Sequence, residues 1–214
     1  MRAETVSYAK AVGGVIMKKI NIKAEGYVHC KSNFYCVQDL LNESHSLSAG
    51  VNKLFGEIDS GNWAISYLLS MYKHRKRDFA LFGEVEIFVG KDRISFDDLL
   101  KKSCYMDKSY PLFSSNKTVE QLVSKGLKKN KSHLSPEEIR EIFGIHEFRF
   151  KRPLKGVGND IFQAMAAIGF SYGKEIFCFP WLSKMRFDSY HEHLPFLLET
   201  LEKLNMTAIV PIGK

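Results

Sequence analysis

The hydrophobic positions of the chain alternate between short strand-like runs and longer runs with helical spacing. Three short apolar runs are typical of buried strands, namely Val51–Phe55, EIFCF at 175–179 and TAIVPI at 207–212. Trp63–Met71 carries apolar residues three and four positions apart, which predicts a helix. This alternation predicts an α/β fold with a mainly parallel sheet flanked by helices.

Glycine marks the turns between several further strands. The segments VIMKKINI, YVHC and FYCVQ, between residues 15 and 38, read as strands, and the first 19 residues read as the start of a strand and not as a signal peptide. Gly90-Lys91-Asp92 reads as a turn between two strands, which predicts an antiparallel part of the fold.

The middle of the chain is richer in helical signals. Ser135-Pro136-Glu137-Glu138 is a capping box with proline at the first helical position, and Gly144 ends that helix. Gly158-Asn159-Asp160 precedes a helix of small and apolar residues that ends at Gly173. The segment 188–205 is predicted as one amphipathic helix that starts or kinks near Pro195.

Composition narrows the class of protein. A chain of 214 residues with 45% hydrophobic and 26% charged residues is globular and fits one domain. No run of about 18 apolar residues occurs, so no membrane span is predicted. The net charge of +7 suggests nucleic acid, but the cations are scattered, so no nucleic-acid partner is expected. The basic run Lys73–Arg77 is interpreted as cations at a helix C-terminus, in preference to a phosphate or lipid site.

Cysteine and histidine spacing argues against a metal centre. No two cysteines form a CxxC pair, so reduced, buried thiols are expected at Cys30, Cys36, Cys104 and Cys178. His191 and His193 are two positions apart and would point to different sides of a helix. No metal ligand and no catalytic residue is therefore predicted.

The stretch LFGEIDSGNWAISYLL, from Leu54 to Leu69, lies between a predicted strand and a predicted helix. Gly56 and Gly61 have the spacing of the two glycines in a phosphate-binding loop, G-x-x-x-x-G-K-[ST]. Asn62 replaces the lysine that reaches the phosphates, and Trp63 replaces the hydroxyl that holds Mg²⁺. The candidate phosphate-loop residues are Gly56, Ser60, Gly61, Asn62 and Trp63.

Four segments in order resemble the ATPase subunit of an ATP-binding cassette (ABC) transporter. GEIDSGN resembles the Walker A loop, and CYMDKSYPLFSSNKTVEQL resembles the Q-loop region. LKGVGNDIFQAMAAIG resembles the LSGGQ signature and its helix, with Gly156 and Gly158 retained, and EIFCFP resembles the Walker B strand. In that family the Walker B aspartate follows the signature leucine by about 24 residues, which leads from Leu154 to Cys178.

Each segment departs from the family pattern at its reactive positions. Cys178 stands for the Mg²⁺-associated aspartate and Phe179 for the glutamate that polarises water. Asp107 or Lys108 falls at the Q-loop glutamine, and the switch histidine would fall near Gly213. Phosphoryl transfer is catalysed mostly by positioning and charge neutralisation, so these changes predict loss of turnover with retention of the fold.

The resemblance implies a P-loop NTPase-like domain over residues 1–214, with a helical subdomain over about 109–160. It implies a cassette partner, as homo- or heterodimer, and a membrane permease. It further implies a cytoplasmic location, or a peripheral one at the inner face of the cell membrane. With the reactive groups replaced, we expect weak or no ATP binding, no Mg²⁺ site and a structural or regulatory role in transport. Asp59 adds a negative charge to the loop, although helix N-terminal N–H groups could still hold an anion.

Two other functions fit the sequence. One is an ATPase of unusual chemistry, in which Lys53 or Lys155 replaces the missing lysine and Asp188 or Glu192 serves the metal side. The other is a binding or regulatory module of the same fold, such as an immunity protein. Trp63 is expected to fill space that a phosphate would use.

Two roles fit each of three aromatic residues, contact with a ligand or partner and packing within the domain. Tyr27 or Tyr35 could stack on adenine, and Trp181 could contact a partner. Packing within the domain is the preferred reading for all three.

Overall fold

Nine strands in two sheets occur in the part of the chain that the structure describes. The computed structural model describes residues 19–31, 36–40, 44–71 and 79–214, with side chains described throughout except at 24–31, 36–40 and 79–82. The strands are β1 Ile20–Lys31, β2 Cys36–Leu40, β3 Ser44–Leu47, β4 Gly50–Phe55, β5 Phe79–Val89, β6 Asp92–Ile94, β7 Ser103–Tyr105, β8 Ile176–Cys178 and β9 Thr207–Ile212.

One sheet is parallel throughout. Its strand order is β4-β9-β8-β7, and every residue of β7, β8 and β9 is buried. Continuous apolar runs are expected in parallel strands that are covered on both faces. The predicted strands at 51–55, 175–179 and 207–212 are confirmed to within a residue or two.

The second sheet is antiparallel. β1 pairs with β5 from Ile20↔Val89 to Cys30↔Phe79, and it also pairs with β2 and β3. β5 pairs with β6 through the predicted turn, where Gly90 has a φ of +66°. The part of the predicted first strand before residue 19 lies outside the described residues.

Eight α-helices occur among the described residues. They are α1 Asn62–Met71, α2 Phe96–Lys102, α3 Val119–Lys129, α4 Pro136–Ile142, α5 Glu147–Phe150, α6 Ile161–Ser171, α7 Lys184–Ser189 and α8 His193–Lys203. Short 3₁₀ turns cover Pro111–Phe113, Leu154–Gly156 and Gly158–Asp160. α4 begins with the predicted capping box, in which Ser135 Oγ accepts from the Glu138 N–H at 3.2 Å. Gly144, with φ +61°, follows α4 as expected.

The predicted helix does not extend over all of 188–205, but its predicted start near Pro195 is confirmed to within two residues. α7 ends at Ser189, His191 adopts a φ of +39°, and α8 begins at His193. Pro195 lies in the first turn of α8, where backbone N–H groups have no intrahelical partner and proline causes no break.

One hydrophobic core joins the two sheets and the helices. It includes Ile20 and Ile87 from the antiparallel sheet and Ile209 from the parallel sheet. α6 is buried on nearly all sides, and it approaches the parallel sheet at Gly169, next to Phe177 and Cys104. The predicted α/β fold, with a parallel sheet flanked by helices and an antiparallel part, is confirmed.

Gly169→Val should destabilise the domain. A Cβ at Gly169 would lie 3.0 Å from the Phe177 ring and 3.2 Å from Cys104 Sγ, so a larger side chain must displace the sheet. We expect the free energy of unfolding to fall by about 2 kcal/mol. Urea unfolding followed by circular dichroism measures it. Lys125→Val, at an exposed position of α3, is the control and should cost under about 1 kcal/mol; equal losses in the two variants would contradict the packing described.

The two core cysteines should resist alkylation. Burial raises the pKa of both thiols above the usual range, that of Cys178 to about 12. The thiolate is the reactive form, so N-ethylmaleimide at about pH 8 should leave Cys104 and Cys178 unmodified in the folded protein. Peptide mass spectrometry should find both modified after unfolding.

The unfolded thiols ionise near pH 8.5, so folding stability should be intact below that pH and decline as pH rises toward about 12. Rapid labelling of Cys178 in the folded protein would contradict both the predicted resistance to alkylation and the raised pKa.

Candidate functional site

The glycine loop connects the end of β4 to the start of α1. The Gly56 N–H donates to the Ile212 carbonyl at 2.9 Å, which fixes the start of the loop to β9. The Ser60 N–H donates to the Glu57 carbonyl at 3.0 Å and closes a turn. Gly61 has a φ of +85°, which favours glycine, and α1 begins at the next residue. The backbone conformation at position 61 therefore favours glycine over other residues.

Side chains of the loop itself lie against Gly56. A Cβ on Gly56 would be 2.3 Å from Ser60 Oγ and 2.7 Å from Asn62 Nδ2. Asn62 is buried, and the Trp181 indole N–H donates to the Gly56 carbonyl at 3.1 Å. The space beside Gly56 is therefore occupied by a hydroxyl and an amide, and its carbonyl is tied to Trp181.

Trp63 extends toward β7. Its indole N–H donates to the Tyr105 hydroxyl at 3.2 Å, and its ring lies 5.0 Å from that of Tyr67. Burial raises the pKa of Tyr105 above its usual range, so the hydroxyl stays neutral and accepts this bond. Next to Gly56, the residues that take up space are Ser60 and Asn62. Whether Trp63 fills space that a phosphate would use stays a prediction, and its described partners are Tyr105 and Tyr67.

The last residue of β8 and the residue that follows it stand at the positions predicted for the metal side, and both are apolar and buried. Cys178 and Phe179 are fully buried, and Cys178 keeps its proton because burial raises its pKa to about 12. The Phe179 N–H donates to the Ile209 carbonyl at 2.9 Å, and its carbonyl accepts from Ser66 Oγ of α1. The ring of Phe179 packs 5.4 Å from that of Phe162. This edge of the sheet carries no ionised group at these two positions.

Gly156 and Gly158 lie in the two short 3₁₀ turns just before α6 and not in the glycine loop. Both are exposed, and Gly158 has a φ of +66°. Gly158 lines a cavity with Lys108 and Lys155, and no residue from Gly56 to Trp63 lines that cavity. The structure therefore places the first five candidate residues in one loop and the last two in another.

The residues that would act in an ATPase of unusual chemistry do not lie together at the glycine loop. Lys53 and Asp188 line a different cavity, where Lys53 Nζ lies 5.7 Å from the Phe187 ring. Glu192 lines a third cavity together with His191 and His193. Lys73–Arg77 and Tyr35 lie outside the described residues, as do the side chains of Tyr27, Cys30 and Cys36. Among the described residues, no group of three or more acidic, cysteine or histidine side chains could hold a metal ion.

A buried polar cluster before α6 was not predicted as such. Asp160 is 3% exposed and accepts from Arg149 Nη1, while His193 Nδ1 lies 3.5 Å from the same carboxylate oxygen. The sequence indicated Asp160 as a helix start only. Its partners are 11 and 33 residues distant in the chain, so no local pattern could reveal them. Within the described part of the chain, no helix is long and apolar enough to cross a bilayer.

Three solved structures to which this chain is similar in fold contain ABC-type ATP-binding cassettes. No family model and no curated protein matches the sequence. An ABC transporter ATP-binding protein from Pyrococcus furiosus matches with a TM-score of 0.59 at 16% identity, over 92% of this chain and 91% of that chain. An ATP-binding cassette in a dimeric post-hydrolysis state with ADP and phosphate matches with a TM-score of 0.59 at 13% identity, over 91% and 87%. A bacterial Atm1-family ABC exporter with ATP bound matches with a TM-score of 0.57 at 14% identity, over 94% of this chain and 35% of that chain. At these identities the likeness concerns the fold, and the fold of this chain is that of the ABC-transporter ATP-binding cassette.

Proposed function

We propose that this chain is a non-hydrolysing cassette subunit that pairs with an active ABC ATPase or a membrane permease in transport. The observation that carries the proposal is the inside of the glycine loop. Ser60 Oγ and Asn62 Nδ2 lie within 2.7 Å of where a Cβ of Gly56 would be, so the loop is bordered by neutral side chains and has no lysine. The fold is kept while the groups that act on a nucleotide are replaced.

Electrostatics of the loop oppose a triphosphate. Asn62 supplies no positive charge, and the loop adds the exposed carboxylates of Glu57 and Asp59. A triphosphate carries about four negative charges, and each pair of charges 4 Å apart is worth about 1 kcal/mol even in water. Without a lysine the loop therefore repels what an intact loop would attract.

The metal side does not fit Mg²⁺ either. Mg²⁺ requires hard oxygen ligands, whereas the positions in question carry an indole, a protonated thiol and a phenyl ring, from Trp63, Cys178 and Phe179. Phe179 has no atom that could orient a water molecule. Loss of a general acid or base commonly costs about 10²–10⁴ in rate. We therefore assign no hydrolytic step to this chain.

The remaining surface supports a role in pairing. Gly156 and Gly158 are exposed ahead of α6, on the part of the chain from 109 to 160 that we propose as the helical subdomain. In ABC ATPases the signature segment of one cassette faces the Walker A loop of the other, so this segment could complete a partner's site. Two of the similar structures are described as a dimer and as an exporter, which is consistent with a partner and a location at a permease.

A nucleotide titration tests the loss of nucleotide chemistry. We expect a fluorescent ATP analogue to bind about 100-fold more weakly than to an intact cassette, with no strengthening by Mg²⁺ and no ATP turnover above buffer. Asn62→Lys should strengthen binding of the analogue about tenfold. Asn62→Met, whose side chain is similar in length to lysine but uncharged, should not strengthen it. Thermal unfolding checks that both variants fold. Saturable Mg²⁺-dependent binding by the unmodified protein, or measurable turnover, would refute the proposal.

Co-purification tests the partner role. The chain should associate with a cassette protein or permease encoded beside its gene, and Gly156→Trp should weaken that association at least tenfold. Gly156 has open space around it, with the nearest atoms to an added Cβ at 3.8 Å, so the variant should fold. Lys125→Trp, on the exposed side of α3, is the matched control. Failure of every neighbouring cassette and permease to bind the unmodified chain would exclude this role.

A further inference from the structure

A cavity of about 310 Å³ lies between the segment after β7, the turn before α6, and α7. Its lining includes Asp107, Lys108, Lys155, Phe162, Arg186 and Tyr190. The cavity, called the cationic cavity below, includes no residue of the glycine loop. Its volume is at the lower end of the range for small-molecule sites, about 300–1,000 Å³.

The floor of the cationic cavity is apolar. Phe162 is 5% exposed, and the ring of Tyr190 meets it edge-on with centroids 5.0 Å apart. Leu154 and Met165 are each 2% exposed and line the same floor. A flat or branched apolar group could therefore bury its surface here, while polar groups remain at the mouth.

The rim carries three cations from three different parts of the chain. Lys108, Lys155 and Arg186 are exposed, and none forms an ion pair or side-chain hydrogen bond with another described residue. Elsewhere in the described chain, several cations pair with a nearby carboxylate, as Lys151 does with Glu147. One carboxylate lines the cavity, that of Asp107, and its Oδ1 accepts from the Ser109 N–H at 2.8 Å. Three positive charges against one negative charge leave an excess of two.

Backbone hydrogen bonds hold the three elements that carry these cations. The Met106 N–H donates to the Cys178 carbonyl at 2.8 Å, next to Asp107 and Lys108. The Gly156 N–H donates to the Pro153 carbonyl at 2.8 Å and closes the turn at Lys155. The Arg186 N–H donates to Ser183 Oγ at 3.2 Å in the first turn of α7. The backbone positions of the three residues are therefore set before any ligand binds, and only their side chains must be ordered by the ligand.

We propose that the cationic cavity binds a small organic anion with a phosphate or dicarboxylate head and an aromatic or branched apolar body. The head would neutralise the excess of two positive charges, and the body would lie on Phe162 and Tyr190. Lysine and arginine are the side chains that bind such heads most strongly through charge-assisted hydrogen bonds. The site borders the segment proposed for pairing, because Lys155 and Gly158 line it. Anion binding is measured on the chain alone, so failure of this site and failure of the pairing role are separate results.

Titration of the full-length chain with phenyl phosphate tests the proposal, with calorimetry or NMR as readout. We expect saturable binding that weakens as salt is raised. Lys155→Met should weaken it about tenfold, and Lys125→Met, on exposed α3, should leave it unchanged. Asp107→Asn keeps an oxygen acceptor for the Ser109 N–H and removes the negative charge, so it should strengthen binding about threefold.

Two further probes measure separately how much the charged head and the apolar body of the ligand contribute to binding. Benzyl alcohol lacks the charge and inorganic phosphate lacks the apolar group, so each should bind at least tenfold more weakly than phenyl phosphate. Circular dichroism confirms that the exposed-site variants fold. Absence of saturable binding, equal effects of Lys155→Met and Lys125→Met, or equal affinity for inorganic phosphate would each overturn the proposal.

Discussion

The backbone hydrogen bonds of β9 hold the segments of the candidate site in place. The Ile212 carbonyl accepts from the Gly56 N–H, the Ile209 carbonyl from the Phe179 N–H, and the Pro211 carbonyl from the Leu182 N–H at 3.0 Å. β9 is buried along its whole length, so water does not compete for these bonds. These bonds therefore fix the start of the glycine loop and the segment after Cys178 to β9.

Neutral side chains suit these positions when no metal or phosphate is bound. A carboxylate at a fully buried position is costly unless a cation or several hydrogen bonds compensate it. Cys178 and Phe179 are fully buried and need no such compensation. Ser60 and Asn62 likewise place small neutral groups beside Gly56. Neutral side chains at these positions are therefore compatible with a stable fold.

Charge is distributed differently at the cationic cavity. There three cations from distant parts of the chain surround an apolar floor, and one carboxylate opposes them. The glycine loop has two carboxylates and no cation from Gly56 to Trp63. Among these two surfaces, the charges of the cationic cavity favour an anion and those of the glycine loop do not.

Local sequence determined the elements whose causes are local. Capping residues at Ser135, glycines with positive φ at Gly61 and Gly144, and continuous apolar strands such as β9 are set by neighbouring residues, so their positions were predicted well. The order of motifs also predicted the cassette fold. Only the tertiary structure decided that Trp63 bonds Tyr105, that Ser60 and Asn62 lie against Gly56, and that Lys108, Lys155 and Arg186 share one cavity. These contacts depend on strand order and on how α1, α6 and α7 pack, and interactions between residues far apart in the chain leave no periodic pattern in the sequence.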